Sequence, residues 1–353
     1  MIFIGDIAIP QNTTPHIDFL PACFSAQQVV ANLEGAIVRD STTVVNERKL
    51  FNSMDALPFL REMNIKVVSL GNNHITDIGE TFSFTCSSLD EAGIAYCGAG
   101  MTREKASQPA ILLDNGSTYV FLSFGWNVIS CRYALDGQLG VNPLEAANVL
   151  HCIREARERY PNAKIVLLPH WDYELERYPM PMHRELAMDA LDAGADAVFG
   201  HHPHCVQGIE FHKGKPIVYS LGNWFIPHGI YMSGKVKFPS YAHLELAVEW
   251  NEDHLMCHWF EFQTSKQQLC YIGSEDSLVS ERIQALTPFS GMDAKAYYKW
   301  FRKNRAKKKM LPIYRSSDYN TENIAKSRWI KIRQACINSL FDHNIKKNRS
   351  GVR

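Results

Sequence analysis

The stretch VFGHHPHCVQGI, residues 198–209, sets His201, His202 and His204 around one proline directly after an apolar run. Imidazole can bind a metal, carry a proton or stabilise charge near neutral pH. Five other apolar runs end in side chains of the same use. MIFIG is followed by Asp6, VVANL by Glu34, and KVVSLG by Asn72, Asn73, His74 and Asp77. IVLLP is followed by His170, Trp171, Asp172 and Glu174, and PIVYSLG by Asn223. Taken singly, these residues have plain structural readings: Asp6 and Asn73 as Asx-turn or helix-cap residues, Glu34 as a helix N-terminal acid, His170 as a core histidine. As a set, carboxylate, amide and imidazole ligands suit Mn, Fe or Zn. One carboxylate between two ions can hold them about 3.5–4 Å apart. Such a pair lowers the pKa of bound water from about 15.7 toward 7. Cys205 is the one cysteine in these turns, which argues against a purely structural zinc site.

The runs that carry these residues read as buried strands: 1–5, 29–33, 66–70, 118–124, 163–169, 196–200 and 215–221. Amphipathic stretches between several of them read as helices: ETFSFTCSSLDEAG and MHRELAMDALDAGA with glycine stops, PLEAANVLHCIREARERYP with a proline stop. That alternation predicts an α/β fold. Ligands of such folds bind beyond the carboxyl ends of the strands, where loops converge on a crevice. Turn signals at Asn115-Gly116, in EFHKGKPIV and in AVEWNEDHLMCHWFEF add hairpins, so the sheet should be mixed or split into two packed sheets. The strand pattern stops near Tyr271. Helical segments follow at about 277–286, 292–306 and 322–341.

Lys plus Arg and Asp plus Glu both total 37, which gives no reason to expect nucleic acid as a partner. From Gly291 onward, however, seventeen basic residues face four acidic ones. Nine cysteines without CxxC spacing suggest neither a disulfide framework nor a thiolate zinc site, and they fit a reducing compartment. No signal-peptide pattern and no membrane-length apolar run is present, so a cytoplasmic protein is expected.

The motifs GDIAI, ANLEGAI, SLGNNHITDIG, GIAYCGAG with EKASQPAIL, LPHWDYELE, GADAVFGHHPHCVQGIE and IVYSLGNWF occur in order over roughly residues 1–260. Together they resemble the CapA family of capsule and poly-γ-glutamate biosynthesis proteins, within the calcineurin-like metallophosphoesterase group. The resemblance implies a four-layer α/β/β/α sandwich over 1–270; outside the resemblance, the residues themselves read as a helical, basic extension over 271–353. The resemblance also implies two divalent ions, Mn, Fe or Zn. Asp6 would hold one ion and His170 the second, Glu34 would bridge them, Asn73 would be a further ligand, and His202 and His204 would go one to each. His74 and Asp77 would be catalytic, His74 as the proton donor to the leaving group or a stabiliser of developing charge. Asn72, Glu174, His201 and Asn223 would orient ligands or contact substrate. Lys49 would clamp an anion or be a solvated loop lysine.

Two departures stand out. GDI runs on into AIP without the basic residue often found there, and HWDYE carries Asp172 where a glycine is usual. The function implied is metal-dependent hydrolysis of a phosphoester, or of a related ester or amide, on a small-molecule or polymer-linked substrate. The alternative is a noncatalytic accessory protein of envelope-polymer assembly. The basic extension interleaves aromatic with cationic residues. It reads either as an interfacial helix giving peripheral membrane contact at the inner face, or as a cap packed on the sandwich.

Overall fold

The computed structural model describes residues 1–40, 49–234, 236–251, 254–306, 311–318 and 324–342. Two β-sheets stack face to face. The first runs His16–Ile17, Gln268–Asp276, His254–Gln263, Leu244–Asn251, Ile2–Ile7, Val29–Leu33, Ile65–Ser69, Ala95–Cys97, with Asn223–Phe225 also paired to Ile2–Ile7. The second runs Ile209–His212, Lys215–Val218, Ala197–Phe199, Lys164–His170, Ser117–Gly125, Ala110–Asp114. Side chains of alternate residues point to opposite faces of a strand, and this alternation builds the layers. Phe3, Val30 and Val67 of the first sheet meet Phe121, Val166 and Phe199 of the second in one buried cluster. At its centre Phe3 stacks on Phe199, with ring centroids 3.7 Å apart. The intervening residues, such as Ile4, Ala31, Ile165 and Leu167, face outward into helices. Ala56–Glu62 and Phe82–Ala92 cover the first sheet, and Ala146–Arg159 and Pro181–Asp192 the second. The result is the expected four-layer α/β/β/α sandwich. Burial on both faces is why IVLLP reads as an unbroken apolar run and VVANL as a run broken only by Asn32.

The local signals have visible causes. Asn115 and Gly116 both take positive φ in a two-residue turn between Asp114 and Ser117, and Lys213 and Gly214 do the same between His212 and Lys215. Two expectations need correction. The run at 215–221 is not one strand: Lys215–Val218 lies in the second sheet, and after Gly222 turns at φ +77° the chain enters the first as Asn223–Phe225. The strand pattern also runs past Tyr271 to Asp276. All of that strand except Leu269 is only partly buried or exposed, so it lacks an apolar signature.

The helices beyond it, Glu281–Leu286 and Ala294–Asn304, place Ile283, Tyr297 and Phe301 in the interior. Trp300 packs edge-on against Tyr178 at 4.6 Å, and the Tyr297 hydroxyl donates to the Pro179 carbonyl at 2.5 Å. Along Ile324–Asp342, Trp329 and Ile332 are exposed. No helix among the described residues is long and apolar enough to cross a membrane.

A buried ion pair fastens the extension to the second sheet. Arg184 Nε and Nη2 donate to the two Glu210 oxygens at 2.6 and 2.7 Å, the Tyr219 hydroxyl donates to Glu210 at 2.8 Å, and Arg184 Nη1 donates to the Met292 carbonyl at 2.9 Å. Removing one partner of a buried pair leaves the other charge uncompensated, which typically costs about 3–5 kcal/mol. Glu210→Ala should therefore lower the unfolding free energy by about that amount in urea titrations.

Candidate metal centre

Both sheets deliver polar residues to the same edge. Asp6 is the sixth residue of the chain and the fifth of its strand. Its register partners are Asn32 on one side and Asn223 on the other. Glu34 follows Leu33 at the end of the neighbouring strand, and Asn72, Asn73 and His74 follow the next, Ile65–Ser69. From the second sheet, His170 ends its strand and bridges to His201, which opens the turn after Ala197–Phe199. Glycine permits neighbouring strand ends to approach closely here. A Cβ on Gly5 would lie 2.2 Å from the Gly222 carbonyl oxygen, and one on Gly200 would lie 2.0 Å from that of Tyr219. His202 and His204 both hold left-handed backbone, at φ +96° and +54°. Such backbone is strained for a residue with a Cβ and persists where surrounding structure enforces it.

The side chains converge. His170 Nε2 lies 2.7 Å from Asn73 Oδ1, 3.1 Å from His202 Nδ1 and 3.3 Å from Glu34 Oε1. His204 Nδ1 lies 2.9 Å from Asn223 Oδ1 and 3.3 Å from Asp6 Oδ2. Donor atoms of Asp6, Glu34 and His170 lie within 4.8 Å of one another, as do those of Glu34, His202 and His204. Glu34 is common to both groups. It is wholly buried, and neither of its oxygens accepts a hydrogen bond. One ring proton on His170 cannot serve an amide oxygen, an imidazole nitrogen and a carboxylate at once, so lone pairs face each other across the cluster. A buried carboxylate without a partner is costly. A divalent cation among these atoms would satisfy them all, and the oxygen and nitrogen donors are those Mn, Fe or Zn accept.

The electrostatics agree. Burial, opposed by the His204 charge and reinforced by that of Asp6, pushes the Glu34 carboxyl up to about 7. Burial and the neighbouring imidazoles hold His170 well below the usual histidine range, and His202 is held down likewise. Both are thus neutral, the form that ligates. For His204 burial acts downward, yet the Glu34 and Asp6 charges outweigh it and raise the group to about 10. A metal taking that place would displace the proton.

The remaining expected residues surround this cluster. His74 sits at its partly exposed rim, its Nδ1 2.8 Å from Asp77 Oδ2. Burial would lower its pKa, but the Asp77 charge and hydrogen bond win and lift it to about 9. Asn72 braces the candidate ligands from behind, its amide reaching Asn32 Oδ1 at 3.3 Å. Its amide donates to the Leu33 carbonyl at 2.8 Å and its oxygen accepts from Gly35 N–H at 3.2 Å, which fixes the turn that carries Glu34. His201 is buried, with Nε2 3.4 Å from the Ile4 carbonyl. Glu174 lies close enough to His204 for its charge to act on it. Lys49 is half-buried, and its neighbour Leu50 donates its N–H to Asp77 Oδ2 at 3.0 Å.

Residues that the sequence did not single out also contribute. Asn32 donates to Asp6 Oδ1 at 2.8 Å, and Asn52 donates to the Glu34 carbonyl at 2.8 Å. The signal for Asn32 was available: an amide inside an otherwise apolar strand. Asp172 takes φ +63°, the conformation a glycine would adopt freely. One oxygen of its carboxylate, Oδ1, meets both His183 Nδ1 at 2.5 Å and the Met180 N–H at 3.0 Å, which orders the entry to helix Pro181–Asp192.

Residues 10–227 match the family model described as bacterial capsule synthesis protein PGA_cap. The chain belongs to that family. Within the PGA_cap match lie all the residues of the cluster except Asp6, which stands just upstream. A capsule biosynthesis protein CapA of Bacillus anthracis is 32% identical over 173 residues, 48% of this chain and 42% of that protein. A PGA biosynthesis protein CapA of Bacillus subtilis (strain 168) is 29% identical over 243 residues, 64% of this chain and 63% of that protein. A probable polyglutamine synthesis accessory protein of Mycobacterium tuberculosis (strain CDC 1551 / Oshkosh) is 28% identical over 185 residues, covering 48% of this chain and 47% of that protein. The matches thus span between 42% and 63% of these relatives' lengths.

Proposed function

We propose that this PGA_cap protein is a metal-dependent hydrolase of capsule or cell-surface polymer synthesis, acting on a phosphoester or a related ester or amide. Two divalent ions, Mn, Fe or Zn, would be held by Asp6, Glu34, Asn73, His170, His202 and His204, with Glu34 touching both. When bound, they supply Lewis acidity and draw a nucleophile from water at neutral pH. The observation that carries this reading is Glu34, wholly buried, bare of hydrogen bonds and shared between two donor groups. His74, held protonated by Asp77, stands at the exposed rim and can give a proton to the leaving oxygen. Asn72 and Asn52 fix the backbone of the Glu34 turn, so that carboxylate needs little reorganisation on binding.

The substrate would be a small molecule or a polymer-linked group, reached from the rim where His74 and Asp77 are partly exposed. We place the protein in the cytoplasm, since all nine cysteines are free thiols, as in a reducing compartment. Peripheral membrane contact would fall to Ile324–Asp342, where Trp329 and Ile332 are exposed beside basic residues.

A second reading is a noncatalytic accessory protein. It is favoured by the engagement of Asp172 with His183, which commits the residue at the departed motif position to structure, and by the accessory name of the mycobacterial relative. Turnover of an activated phosphodiester by untagged protein separates the two. The hydrolase reading expects activity lost on chelation and restored by Mn, Fe or Zn, with His74→Ala lowering the rate about 100-fold or more at unchanged metal content. Full metal loading without turnover, and a His74→Ala variant that still supports polymer synthesis, would favour the accessory reading.

A further inference from the structure

A second cluster of metal-ligand side chains lies on the first sheet, away from the residues described above. His258 faces Ser274 directly across one strand pair and lies diagonal to Glu249 across the other, because Ala247 pairs with His258 and Met256 with Glu249. Residues two apart on a strand share a face, so all three side chains stand on the same side of the sheet. The short helix Cys23–Ala26 crosses over that face, with Phe24 edge-on to the His258 ring at 5.9 Å. Cys23 Sγ comes to 3.5 Å from His258 Nε2, and Glu249 Oε2 to 3.3 Å from the same nitrogen. Donor atoms of the three residues lie within 4.8 Å of one another.

The distances match a tetrahedral ion. Zinc bonds of about 2.3 Å to sulfur and 2.0–2.1 Å to nitrogen or oxygen set a sulfur–nitrogen edge of about 3.5 Å and a nitrogen–oxygen edge of about 3.3 Å. Two of the three ligands are also held by their other atom. His258 Nδ1 contacts Ser274 Oγ at 2.6 Å, and Gln27 Nε2 donates to Glu249 Oε1 at 2.5 Å. Outer partners of this kind orient metal ligands and leave the coordinating atom free. His258 is buried, while Cys23 and Glu249 are half-exposed, which gives an ion a path in. We infer that Cys23, Glu249 and His258 form a second, thiolate-containing site for a borderline-soft divalent cation such as Zn²⁺, with one coordination position open to solvent. Sequence spacing is silent on it because the three ligands come from separate elements, 226 and 9 residues apart.

Cobalt(II) reads this site alone, because a thiolate ligand gives a charge-transfer band in the near ultraviolet and the proposed dinuclear centre has no sulfur ligand. The full chain, stripped with chelator and titrated with Co²⁺, should develop that band to saturation at one equivalent of sulfur-bound metal, and Zn²⁺ should abolish it. Cys23→Ser should remove the band, Glu249→Gln should weaken Co²⁺ binding about 10-fold or more, and Glu34→Gln should leave the band intact. A wild-type protein that binds Co²⁺ without the band, or a band that survives Cys23→Ser, would overturn the assignment.

Discussion

Glu34→Gln is expected to purify with little or none of the wild-type metal, and its metal-dependent turnover should fall by more than the about 10–100-fold typical of losing an outer-shell partner. The substitution keeps the shape of the side chain and removes only its charge. A neutral amide cannot offer anionic oxygens to two ions, yet it can donate to lone pairs that face Glu34 in the metal-free protein. The variant should therefore diverge from wild type in opposite directions with and without metal. In chelator, where the buried carboxylate has no hydrogen-bond partner, glutamine should melt at the same temperature or higher. With free metal at 100 times its dissociation constant, wild type should gain about 2.7 kcal/mol that the variant does not. Elemental analysis and thermal melts measure both arms. Wild-type metal content in Glu34→Gln would remove this residue from the centre and, with it, the basis for the hydrolase reading.

Gly5→Ala and Gly200→Ala should each cost about 3 kcal/mol or more, at the upper end for adding a methyl group to a packed interior. The obstructing atoms are backbone carbonyl oxygens, of Gly222 and Tyr219, and cannot rotate away like a side chain. Relief requires the strand Ile2–Ile7 to part from Asn223–Phe225, or the 197–200 strand end from its neighbour. Either movement should shift a proposed ligand, since Asp6 is the register partner of Asn223 and His202 stands two residues past Gly200. Metal affinity should fall together with stability. Gly214→Ala supplies the comparison: no atom lies within 4 Å of its added Cβ, and its φ of +79° alone should cost about 1 kcal/mol. Urea titrations of the three variants test the assignment, and equal losses at all three sites would rule out close approach as the cause.

The parts of this molecule legible in the sequence are those whose burial is symmetrical. Strands covered on both faces leave apolar runs, and the residue after each run is where a parallel sheet presents its loops, so Asp6, Glu34, Asn73, His170, His202 and His204 could be read in order. The strand Gln268–Asp276 was cut short because it lies toward the sheet's edge, half-exposed, with a register shift opposite Trp259 and Phe260. The break at Gly222 was hidden inside PIVYSLG because a chain that changes sheets stays apolar throughout. For Asn72 the position in GNNH gives its distance along the chain from the cluster but not its direction, and the turn sends its side chain back to Asn32, Leu33 and Gly35, where it orients the Glu34 turn. The Cys23, Glu249 and His258 cluster depends on strand pairing and on the helix Cys23–Ala26 crossing that face, which no local pattern encodes.

Glu176 has a wider consequence. Its carboxylate accepts the Ala306 N–H at 2.7 Å and faces Arg305, while the nearby Tyr173 hydroxyl donates to the Pro312 carbonyl at 3.2 Å. The segment that begins at His170 is therefore moored to the far end of the polypeptide. The stretch around Ala306 and Pro312 works as a guy rope for the edge that carries the proposed metal centre: cutting it should slacken the turn after His170 without touching any proposed ligand, so trimming the protein back to its two sheets is not a neutral simplification.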